Sequence, residues 1–129
     1  MKTRTILSLA LRIVASIIMA QSLYFKFSAH PESVYIFTTV GIEPWGRIGT
    51  GVAELITVIL LLVPRTISVG ALMGAGIMVG AIGSHLFLLG IEVQGDNGQL
   101  FIYALLVFIA CGILVGMHYR EGLKMIMKR

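Results

Sequence analysis

The stretch TILSLALRIVASIIMAQSLYF, residues 5–25, decides the fold. It is apolar almost throughout, and at a rise of ~1.5 Å per residue a helix of that length crosses a hydrocarbon core of ~30 Å. Its one charge, Arg12, sits well inside the run Leu7–Leu23. The same oddity recurs twice further on: Glu54 lies within Gly49–Val63, and His85 within Ile67–Leu89. A charge near a bilayer centre costs roughly 2.5–3.5 kcal/mol on insertion scales, so such residues normally face a partner, a cavity or a ligand.

Working outward, three more apolar runs follow, giving expected spans at about residues 5–25, 47–63, 66–89 and 99–118. Only 12% of the chain is charged, about half of what a soluble domain carries, so lipid must replace water as the main solvent. Mean hydropathy of +0.96 agrees. The connections are short, which predicts one domain over residues 1–129: an all-α membrane protein, a four-transmembrane-helix bundle running up-down-up-down. Pro64-Arg65 makes a tight turn between the second and third spans, because proline disfavours helical geometry in the residue before it. The first outer loop, Ser28–Gly46, is the longest. His30-Pro31-Glu32-Ser33 reads as a helix start, with apolar bulk from Val34 to Phe37 and Gly41 as its stop. A short interfacial helix over the outer mouth is expected there, with Tyr35 and Trp45 at headgroup level. Gly95-Asp96-Asn97-Gly98 reads as a polar turn in the second outer loop. Gly70-x-x-x-Gly74, Gly76-x-x-x-Gly80-x-x-x-Ser84 and Gly112-x-x-x-Gly116 read as sites of close helix approach, with homo-oligomer contacts a secondary use.

Charge sets the expected orientation. Lys2, Arg4, Arg65, Arg120, Lys124, Lys128 and Arg129 fall at one end of such a bundle, against Lys26 and Arg47 with Glu32, Glu43, Glu92 and Asp96 at the other. The positive-inside rule then puts both termini in the cytoplasm, with the chain multi-pass in the inner membrane. The basic tail reads as a topology and lipid-headgroup anchor rather than a nucleic-acid site. Arg12 interrupts what would be a signal-peptide core and no A-x-A site follows, so the first span is expected to be retained. The single Cys111, deep in the last span, reads as packing rather than thiol chemistry. His30, His85 and His118 are too scattered for a metal or a doubly ligated haem, no P-loop is present, and any redox role needs a bound or borrowed cofactor.

Thr5, Ser8, Arg12, Ala15, Met19, Ser22 and Lys26 follow steps of three and four and share one helical face. Arg47, Thr50, Gly51, Glu54 and Thr57 do the same on the second span. Two such stripes are costly against lipid and should face each other or a shared interior. Depths counted from the helix ends bring Arg12 and Glu54 within a turn or two, so a buried Arg12–Glu54 ion pair is expected, either fixing register or poising the carboxylate. Lys26, His85 and Gln99 are expected to converge below the outer loop, near Trp45 and Asp96. The plain reading there is a lysine snorkelling to water and a histidine with one interhelical hydrogen bond. The sharper one is a pocket for the head of an amphiphile.

Arg12…Lys26-Phe27, Gly51-Val52-Ala53-Glu54-Leu55, Leu60-Leu61-Leu62-Val63-Pro64-Arg65, Gly80-Ala81-Ile82-Gly83-Ser84-His85-Leu86 and Gly95-Asp96-Asn97-Gly98 together resemble the DoxX family of small bacterial membrane proteins. The resemblance covers nearly the whole chain. It implies a four-helix protein of the cytoplasmic membrane and marks Arg12, Lys26, Glu54 and His85 as the functional polar residues. The family takes its name from a subunit of an archaeal thiosulfate:quinone oxidoreductase, other members are linked to redox complexes, and distant relatives act in membrane-protein assembly. Three functions follow as expectations. The first is a subunit that binds a quinone or similar isoprenoid and assists electron transfer with a redox partner, thiosulfate oxidation itself not being expected. The second is a non-enzymatic assembly factor or scaffold, and the third a small lipid or solute transporter, which the lack of internal repeats disfavours.

Overall fold

A computed structural model describes residues 2–93, 95–96 and 98–127. Asn97 of the second loop, and Lys128 and Arg129 of the basic tail, lie outside the described residues. All regular structure among them is helical: α1 Lys2–Phe27, α2 Pro31–Val40, α3 Trp45–Leu62, α4 Ile67–Ser84 and α5 Gln99–Met127. A 3₁₀ turn, Pro64–Thr66, joins α3 to α4, and a π-helical turn, His85–Leu89, extends α4. Four helical stretches are long and apolar enough to cross a membrane: Thr3–Phe27, Trp45–Leu62, Pro64–Leu89 and Gln99–Arg120. The all-α membrane bundle expected from the sequence is therefore what the chain forms.

The long helices close into a ring in which α1 packs on α3, α3 on α4, α4 on α5 and α5 on α1. Small and slender side chains fill its axis, among them Ala15, Met19, Leu61, Ala71, Val107, Cys111 and Leu114. Large apolar groups such as Ile6, Leu72 and Ile109 are exposed outside, the arrangement that lipid permits and water would penalise. Gly70 and Gly74 are where the small-residue pattern acts. A Cβ on Gly70 would stand 2.8 Å from Leu60 Cβ, and one on Gly74 would stand 2.6 Å from Cys111 Sγ. At Gly76, Gly80, Gly112 and Gly116 an added Cβ would meet nothing within 4 Å. The expectation of close packing thus fails at those four, because periodic spacing locates a face but not its neighbour.

The first loop forms the expected short helix, α2. The His30 side chain accepts from the Glu32 amide at 3.2 Å, Pro31 opens the first turn, and Gly41 closes the helix at φ 91°. Ser33, Ile36, Phe37 and Val40 recur at helical spacing and turn into the end of the bundle opposite the termini. That end is the site end.

Candidate functional site

Glu54 is the most buried charge, 2% exposed on the axial face of α3. Its partner is not Arg12. The ammonium of Lys26 hydrogen-bonds both Glu54 Oε1 and the Ser22 hydroxyl one turn back. Arg12 instead donates to the carbonyls of Leu61 and, at 3.1 Å, Leu62. The expected Arg12–Glu54 pair is corrected by the slant of helical side chains, which lean toward the helix N-terminus. Both cations of α1 therefore reach toward the terminal end, Lys26 down to Glu54 and Arg12 away from it. Lys26 does not snorkel out to water either. It is only 13% exposed. Arg12 meets the otherwise unpartnered carbonyls at the negative end of α3, where a guanidinium is well matched.

His85, 5% exposed, opens the π-helical turn. The Gly90 amide donates to the His85 carbonyl at 2.7 Å, and His85 Nδ1–H donates to the Gly90 carbonyl at 3.1 Å. The ring also stands edge-on to Phe101, centroids 5.6 Å apart. The expected interhelical hydrogen bond is thus replaced by one within its own turn. With Nδ1 committed as donor, Nε2 of the neutral ring is an acceptor, without a protein partner among the described residues.

The groups meet around one cavity of ≈ 830 Å³ at the site end, roofed by α2. Lys26, Glu54, His85 and Gln99 all line it, as do Trp45 and Asp96. The two polar clusters expected from sequence therefore line one cavity, less Arg12, which lies toward the terminal end and does not reach it. Gln99 Nε2 donates to the Tyr103 hydroxyl at 2.7 Å, so the pair forms a small polar shelf on α5. Asp96 caps that helix: Oδ1 accepts from the amides of Val93 (3.0 Å) and Gly98 (2.8 Å), and Oδ2 from Leu100 (3.2 Å). Partial burial acts to raise its pKa, but these three amides outweigh it and hold the carboxyl below its ordinary value.

Sequence reasoning did not single out Ser22 or Tyr103 for the site. Each sits one helical turn from a residue that was named, and that spacing was the available signal. Arg47 belongs to a separate support: it is bound by Glu43 at 2.8 Å and donates to the Lys26 carbonyl, tying α3 to the end of α1. At the terminal end Ser8 Oγ and His118 Nε2 lie 2.8 Å apart, and Arg4 bonds the Met117 carbonyl, joining α1 to α5.

Comparison with known families matches residues 10–113 to the model of the DoxX-like family. The chain belongs to the DoxX-like family. The match begins just before Arg12 and takes in every residue of the cavity site, so the family's shared region includes the site itself. Neither the curated proteins nor the solved structures contain a match to this family member.

Proposed function

We propose that this chain is a membrane subunit that binds a quinone or similar isoprenoid in the cavity and serves electron transfer with a redox protein partner. The observation that carries the reading is the cavity itself. Its ≈ 830 Å³ falls within the ~300–1,000 Å³ usual for small-molecule sites, and apolar walls surround a few convergent polar groups. Those groups suit a ring bearing oxygens. An ammonium has three donors; two of Lys26's are taken by Ser22 and Glu54, leaving one for a carbonyl oxygen. His85 Nε2, as an acceptor, suits a hydroxyl, the form such a head takes when reduced. When bound, the quinone would supply the two-electron redox chemistry; the chain's own residues hold and orient the head and keep water from it.

The charge distribution supports a placement in the cytoplasmic membrane with both termini in the cytoplasm. The test is to purify the full chain in mild detergent, extract it and identify bound small molecules by mass spectrometry. A quinone near one per chain, at least tenfold depleted in His85→Ala, supports the reading. Phospholipid alone, together with a stoichiometric membrane-protein partner, moves the function to assembly.

A further inference from the structure

We infer that the cavity opens sideways into the bilayer, through a glycine-edged gap between α3 and α4 that admits the apolar tail of an amphiphile. The inference rests on the reading of the cavity as an amphiphile site and adds the side from which it fills.

The α3–α4 seam is tight near the Pro64 turn and loose beyond it. At the tight end, a Cβ on Gly70 would strike Leu60 at 2.8 Å, and one on Gly74 would stand 3.3 Å from Thr57 Cγ2. Those contacts identify the facing edges. With 3.6 residues per turn, the α3 edge through Leu60 continues through Ala53 and Gly49, and the α4 edge through Gly70 continues through Ile77 and Ala81, with Gly80 on its outward flank. Antiparallel pairing puts Gly49 across from the Gly80 level. On the outward flank at that level the space is free: a Cβ on Gly49, Gly76 or Gly80 would meet nothing within 4 Å.

Two facts turn that looseness into an opening. Gly49, Gly76 and Gly80 all line the cavity and are exposed, and at 3.6 residues per turn Gly76 and Gly80 fall on the α4 face of exposed Val69, Leu72 and Val79, away from the buried face of Gly70, Gly74 and Met78. A residue that belongs to both surfaces lies at a mouth. The mouth is within the membrane, since Gly49 is about 6 Å from the site end of α3 and Gly80 about 13 Å from the site end of its span. The flanking outward residues, Val52, Ile56, Leu72 and Val79, are apolar and exposed. Hydrocarbon therefore meets the gap. A tail lying in it would leave the polar head at the Lys26–Glu54 pair and His85, as the division between apolar and polar lining requires.

The test uses the full chain in phosphatidylcholine vesicles containing a trace of phosphatidylcholine with a diazirine in its acyl chain. After illumination, adducts are mapped by mass spectrometry. Wild type should carry adducts on the buried cavity residues Met78 and Ala104 as well as on outward Leu72. In Gly49→Leu and Gly80→Leu, which fill the gap where space is free, interior adducts should fall at least tenfold while Leu72 labelling persists. Gly112→Leu, equally open but away from the cavity, should change nothing. Absence of interior adducts in wild type, their persistence in both gap variants, or an equal fall in all three variants overturns the inference. A decyl-tailed benzoquinone added as competitor separates the two readings. Interior labelling that the quinone fails to displace sinks the quinone assignment and leaves the lateral opening standing.

Discussion

Glu54 and Lys26 show how a buried charge is kept in a membrane helix. Neither is tolerable alone, and each supplies what the other lacks. Removing one partner from a buried pair costs about 3–5 kcal/mol, whereas replacing both with apolar groups of similar size is close to neutral. Glu54→Leu alone should therefore lower the thermal midpoint in detergent sharply, and Glu54→Leu with Lys26→Met should recover most of it. Failure of the double variant to recover would mean the pair is held by more than its mutual charge. Asp96 works differently, as a cap. Asp96→Ala should destabilise by about 1 kcal/mol, the usual cost of losing an N-terminal cap. Because its folded pKa is depressed below the ordinary 3.8, its contribution is present above that value and lost as pH falls through the folded one. An acid titration of thermal stability should show a loss in that window in wild type and a smaller one in Asp96→Ala.

Among the elements, what could be read from the sequence divides cleanly. The polar stripes of α1 and α3 were legible because a stripe fixes azimuth, and Ser8, Arg12, Glu54 and Thr57 are all buried as that spacing requires. The ion-pair partner was not, because azimuth says nothing of axial slant, and a long side chain can end more than a turn from its own Cα. The helix start at His30-Pro31-Glu32-Ser33 and the stop at Gly41 were legible from local chemistry; the capping role of the His30 ring was not. The π-helical turn was not. Nothing in His85-Leu86-Phe87-Leu88-Leu89 departs from an ordinary helix until Gly90, whose φ of 83° and ψ of 170° belong to a region essentially reserved for glycine. Gly90→Ala should therefore cost about 1–3 kcal/mol and release the His85 ring from its carbonyl. Hydrogen exchange should rise at the end of α4 and remain unchanged at the Pro64 turn.

For the whole molecule, the polar residues that line the cavity were more legible in the sequence than the cavity's shape. Lys26, Glu54, His85 and Gln99 were named from depth and residue type, and a single cavity holds them all. That cavity depends on α3 and α4 parting beyond Gly74, a relation between two helices that no single-segment pattern encodes. The same ring of contacts has a bearing on how the protein is made. Both interior cations of the first helix, Arg12 and Lys26, find their membrane-depth partners on α3, at Leu61, Leu62 and Glu54. At synthesis α1 emerges first, carrying mid-span Arg12, a charge worth roughly 2.5–3.5 kcal/mol against insertion at the bilayer centre, and Lys26 at the far end of the span. In a translation-arrest series with a reporter, α1 alone should integrate poorly, and lengthening the nascent chain past Leu62 should raise its integration severalfold. Equal integration at both lengths would show that α1 settles unaided. The insertion machinery must otherwise shelter an unfinished helix until its sequel arrives.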